Sequence, residues 1–99
     1  MTEQENAYDR GARETVELGN RLADTDPDAE LTEIADGLLA GAIQYWLYAN
    51  QPCGDADCEE CKPLCTAELR LEALRTALEG FARSSEYFHT PADFDAGRA

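Results

Sequence analysis

The chain has 99 residues, with 21 acidic and 8 basic side chains and a formal net charge of −13. That length holds one domain at most, and a domain so small buries little surface unless a staple or a partner helps it. The charge repels phosphate backbones and anionic lipid, which excludes nucleic acid and membranes as partners and favours cations, basic protein surfaces or a high-salt setting.

The start is polar. Met1 leads into Thr2-Glu3-Gln4-Glu5-Asn6, without the basic start and apolar run of a secretory leader, so the expected location is the cytoplasm. Thr2 followed by Glu5 has the form of a capping box and predicts a first helix over about 3–24. Its stripe of Tyr8, Gly11, Thr15, Leu18 and Leu22 is narrow and partly polar.

Thr25-Asp26-Pro27-Asp28 reads as a break and a new start, with Asp26 as N-cap and Pro27 in the first turn of a helix over 27–50. Leu31, Ile34, Leu38, Leu39, Ala42, Ile43, Trp46 and Leu47 crowd this helix, and no charge appears between Asp36 and Asp55. The stretch from Gly37 to Gly54 is too short, and too polar in its second half, to span a bilayer. A helix apolar on most of its circumference needs cover that so short a chain does not supply, which predicts a second subunit. Gly37, Ala40, Gly41 and Ala42 are small enough for a partner helix to come close.

Pro52 ends the second helix. A cysteine-rich turn over 53–65 follows, and Pro63 is expected to open a third helix over 63–83. There Leu64, Ala67, Leu71, Leu74, Leu78 and Phe81 recur at alternating three- and four-residue steps, a heptad-like seam. No strand-like alternation occurs. The expected fold is therefore all-α. It is a three-helix up-and-down protein whose second and third helices form a hairpin, and the hairpin dimerises into a four-helix-type bundle. Leu38, Ala42, Ile43, Trp46, Leu71, Leu74 and Leu78 are the expected oligomer interface. The helical domain spans 1–83, and 84–99 forms an aromatic-containing tail whose last residues, 95–99, read as disordered.

The four cysteines, Cys53, Cys58, Cys61 and Cys65, are spaced C-x4-C-x2-C-x3-C, and such clustering means they act together. Two disulfides would staple the hairpin, Cys53 to Cys65 across the helix ends and Cys58 to Cys61 inside the turn, worth roughly 2–4 kcal/mol. Sequence alone leaves three connectivities open. A metal is the alternative: four thiolates hold zinc tetrahedrally, and the first three cysteines match one iron–sulfur spacing. Asp55, Asp57, Glu59 and Glu60 lie among these thiols with only Lys62 in opposition, which makes four thiolates costly and tilts the reading toward the staple. Cys58 and Cys61 also form a C-x-x-C of the kind thiol redox proteins use.

The tail carries Glu86-Tyr87-Phe88-His89, an E-x-x-H pair of the kind di-iron helical bundles use as ligands. Pro91 follows at once, and Glu14, Glu30, Glu33 and Glu72, the candidate partner carboxylates, fall mostly on solvent faces. With the only histidine in the tail, no Ser/His/Asp or Cys/His catalytic set can be assembled. Tyr87, Phe88 and Phe94 are candidates for docking on a protein partner.

The E-x-x-H and the segment Glu86-Tyr87-Phe88-His89-Thr90-Pro91-Ala92-Asp93, set in a short acidic helical hairpin, resemble the truncated bacterioferritin-like proteins associated with α-carboxysome gene clusters. The resemblance covers Leu31 to Asp95. It implies a helical oligomer linked to a carbon-fixing microcompartment, whose lumen would permit disulfides. The sequence lacks the ferritin pattern's partner carboxylates, which puts iron oxidation in doubt. The expected function is thus a non-enzymatic helical assembly or adaptor protein without a cofactor. The alternatives are a metal protein, with ferritin-like iron or cysteine-bound zinc or iron, and a thiol redox protein.

Overall fold

The computed structural model describes residues 5–55 and 57–93. It is all-helical: α1 is Ala7–Thr25, α2 is Leu31–Ala49 and α3 is Ala67–Ser84, with a short 3-10 turn at Lys62–Leu64. No strand occurs among the described residues. None of the described helices is long and apolar enough to cross a membrane. Two compact units divide the chain, Met1–Trp46 and Leu47–Ala99, and the division falls inside α2.

In the first unit, α1 starts later than the sequence predicts. Thr2 lies outside the described residues, and the cap is Asn6, whose side chain accepts the Asp9 N–H at 2.7 Å. An asparagine oxygen serves one of the orphan N–H groups as well as a threonine would. Arg13 ties Glu5 to Glu17, at 2.7 and 3.1 Å, and Arg10 pairs with Glu14 at 2.7 Å. The Arg13 hydrogen bond holds the Glu5 carboxyl below its ordinary value, and the Arg10 hydrogen bond does the same for Glu14. No residue of α1 is buried.

Asp26 and Pro27 do not start α2. Asp26 instead closes α1, its N–H bonding Leu22 O, and its own carbonyl and carboxylate accept the N–H groups of Ala29 and Asp28. Asp followed by Pro suits the first two positions of a turn as well as a helix start, and here the turn wins. The helix begins four residues later, at Leu31. Leu38 of α2 packs over Gly19 of α1: a Cβ there would stand 2.9 Å from Leu38 Cδ1.

In the second unit, Pro63 sits in the 3-10 turn that Lys62 begins and does not open α3. Leu64 and Cys65 bond back to Cys61 and Lys62, three residues away. Thr66 then turns to extended backbone and caps α3, its hydroxyl accepting the Leu69 N–H at 3.1 Å. A cap needs non-helical backbone, so Thr66 divides the turn from the helix. Arg70 in the first turns of α3 reaches back to donate to Leu64 O at 2.9 Å, fastening the 3-10 turn to the helix.

Leu74 is the one buried apolar side chain among the described residues, at 6% exposure. It lines a cavity of about 320 Å³ with Leu47, Gln51, Ala67, Arg70 and Leu71. Of the other expected interface residues, Leu38, Ile43, Trp46 and Leu78 are half-buried, and Ala42 and Leu71 are exposed.

Candidate metal centre

The turn between α2 and α3 gathers three sulfurs. The Sγ atoms of Cys53, Cys58 and Cys61 lie within 4.8 Å of one another. Pro52 has ended α2, and Gly54 then takes φ +93°, a left-handed conformation that side chains rarely adopt. That one residue turns the chain directly after Cys53. Asp55 accepts the Asp57 N–H through Oδ1 at 2.9 Å and the Cys58 N–H through its carbonyl, which folds the loop toward Cys58. Gly54→Ala would force a Cβ into this conformation at a cost of about 1–2 kcal/mol. The expected result is weaker metal binding with unchanged helix content, read by circular dichroism beside a zinc titration.

Backbone N–H groups point at these sulfurs. The Cys53 N–H donates to Cys61 Sγ at 3.3 Å. The N–H of Cys61 holds the Cys58 thiol below its ordinary value, helped by the thiols of Cys61 and Cys53 and by the Glu60 N–H. Amide donors on a sulfur stabilise its thiolate form. At Cys61 the balance reverses. The Cys53 N–H draws its thiol down, but the thiols of Cys53 and Cys58, desolvation and the charge on Cys53 push it up to about 11. The same three sulfurs thus lower one thiol and raise its neighbour. Such crowding of anions is relieved when one cation replaces the protons.

Two of the four acids that weigh against a metal in the sequence have other bonds here. Glu59 pairs with Lys62 at 2.8 Å, and the Asp55 carboxylate holds the Asp57 N–H. Cys53 is exposed and Cys58 and Cys61 are half-buried, so a solvated ion can reach the site.

The expected disulfides are not formed: all four cysteines are free thiols. The pairing of Cys53 with Cys65 fails because Cys53 stands with Cys58 and Cys61, while the Cys65 thiol donates to Cys61 O at 3.2 Å. Cys58 and Cys61 are neighbours, but within a set of three and not as a closed pair.

Glu86 and His89 lie beyond the end of α3 in irregular turns, so the helical spacing that would make them face one way is absent. His89 Nδ1 sits 3.6 Å from Asp93 Oδ2, and its ring meets Phe88 edge-on at 4.8 Å between centroids. The three cysteines are the only set of three or more potential ligands brought together among the described residues, and neither Glu86 nor His89 belongs to it. Of the tail aromatics, Tyr87 is 82% exposed and Phe88 carries the Arg83 guanidinium over its ring at 5.7 Å. Phe94 and residues 95–99 lie outside the described residues.

No family model, curated protein or solved structure matches the chain. The resemblance to the carboxysome-associated proteins therefore rests on the sequence of Leu31 to Asp95, the tail most of all.

Proposed function

We propose that this protein binds a single thiophilic metal ion, zinc in the first instance, through Cys53, Cys58 and Cys61, and that the ion braces the turn joining α2 and α3. The observation that supports this reading most is the three-sulfur cluster. Two thiolates on one tetrahedral zinc, each about 2.3 Å from it, stand roughly 3.8 Å apart. Sulfurs already within 4.8 Å of one another need to close by only about 1 Å to reach that geometry. A sulfide-bridged iron cluster seats its thiolates on different irons and needs them spread wider, so the spacing favours one ion. A dithiol redox couple uses two sulfurs and leaves the third without a role.

Elemental analysis of the chain, purified under reducing conditions without added chelator, tests the reading. One zinc per chain is expected. Metal below a tenth of that amount, with the thiols still reduced, would overturn it.

The expected self-assembly stands beside this reading on a separate observation. Leu31 and Leu39, 73% and 49% exposed, stand eight residues apart on one side of α2. Apolar surface left uncovered on a helix is what a second copy would bury. A Cβ added at Gly37 or Gly41 would meet nothing within 4 Å, which leaves room for a close helix. Sedimentation equilibrium is expected to give the mass of a dimer, and a monomer mass at every concentration would remove this part of the proposal.

A further inference from the structure

We propose that Cys65 is the fourth ligand and closes the site, so that the ion is held for structure and offers no open position to a substrate or to water. This rests on the metal reading above and adds to it the identity of the last ligand and the kind of site that results.

Cys65 follows the 3-10 turn that begins just after Cys61, and its Sγ already lies 3.2 Å from Cys61 O. Its sulfur is therefore held against the backbone of a residue that carries one of the three sulfurs. Staggered χ1 positions of a cysteine sulfur are about 3 Å apart, so a single rotation carries it clear of the carbonyl. The space for that rotation exists. A cavity of about 390 Å³ is lined by Cys65 together with Pro52, Gly54 and Asp55, the segment that carries Cys53.

Asp55 is the competing ligand on the same cavity, and the two can be weighed. The Asp55 carboxylate already shapes the loop, accepting the Asp57 N–H at 2.9 Å through Oδ1, which leaves its second oxygen for an ion. Cys65 would release only a thiol-to-carbonyl bond, and a thiol is a weak donor. A thiolate is also the softer partner for an ion already bound by three others. Four thiolates fill a tetrahedral ion completely, the arrangement of structural zinc, whereas three protein ligands and a water define catalytic zinc. A closed site would fasten Cys53, at the end of α2, to Cys65, next to the Thr66 cap of α3. The metal then holds the same ends that the disulfide between Cys53 and Cys65 was expected to hold.

X-ray absorption at the zinc edge of the full chain, loaded with one equivalent of zinc chloride, counts the sulfurs directly. Four sulfurs are expected. Three sulfurs with one oxygen or nitrogen would overturn the assignment of Cys65 and leave the metal reading standing. Failure of the full chain to bind zinc would overturn both. Cobalt titrations give a second readout. C65A is expected to lose about a hundredfold in affinity and to shift the visible bands, while D55N keeps wild-type spectra. If D55N changes the bands and C65A does not, Asp55 is the ligand and the proposal is wrong.

Discussion

Replacing Cys58 with serine is expected to abolish tight zinc binding and to bring the thermal midpoint of the zinc-supplied protein down to that of the metal-free chain. Cys58 is the sulfur of the three whose thiol is held below its ordinary value, by the Cys61 N–H first of all. A serine hydroxyl at the same place keeps its proton at neutral pH and binds zinc poorly. The size of the effect follows from linkage. An ion at a thousand times its dissociation constant stabilises the folded chain by about 4 kcal/mol. For a domain of this length that is a shift of roughly 15–30 °C, read in differential scanning calorimetry with and without zinc. Metal-free C58S and metal-free wild type should melt close together, because a serine oxygen can take over the hydrogen bonds of the thiol. His89→Ala and Glu86→Gln should leave the zinc-dependent shift intact, since neither residue joins the three sulfurs. A shift that survives in C58S but vanishes in H89A would place the metal in the tail.

The second large effect concerns the core. Leu74→Ala should cost about 2–5 kcal/mol, the range for truncating a buried leucine. Leu74 is the one buried apolar side chain of the described chain, so few other contacts offset its loss. A total stability of about 5–15 kcal/mol is usual, and a chain with so small a core sits toward the bottom of that range. The variant is thus expected to be largely unfolded without metal at 37 °C, and to regain helicity when zinc is added. Leu71 lines the same cavity but is 39% exposed, and L71A should cost markedly less. Urea titrations of both variants check the contrast. Equal losses would mean that Leu71 is covered in solution, as a second copy on that face would cover it.

How much of this was legible in the sequence differs between helices and turns. The apolar spacing of Leu71, Leu74 and Leu78 marked α3, and the uncharged run after Asp36 marked α2; α2 lies within the range read from periodicity, and α3 passes its expected end by one residue, at Ser84. The ends were misplaced wherever one residue type serves two local structures. Asp26-Pro27 fits a helix start and a turn equally well, and the bond from the Asp26 N–H to Leu22 O, which settles it, depends on where α1 stops. Pro63 fits the first turn of an α-helix or a 3-10 turn, and the cap at Thr66 decides between them.

At the site, the grouping of the cysteines could be read but not their partners. The acids between them argued for disulfides on charge alone. That argument treats Asp55 and Glu59 as free charges, whereas the Asp57 N–H and the Lys62 ammonium engage them. One signal in the sequence did point the other way: Cys58-Glu59-Glu60-Cys61 is a tight turn, which aims N–H groups back at its first sulfur. Gly54 was a second, as the residue that lets the chain reverse straight after Cys53.

Cadmium titration of the reduced, metal-free chain is the most direct measurement of the central claim, because each cadmium–thiolate bond adds absorbance in the ultraviolet. The account predicts a linear rise with a sharp break at one cadmium per chain, lost in C58S and unchanged in H89A. A rise with no break, or a break that is the same in C58S, would contradict it.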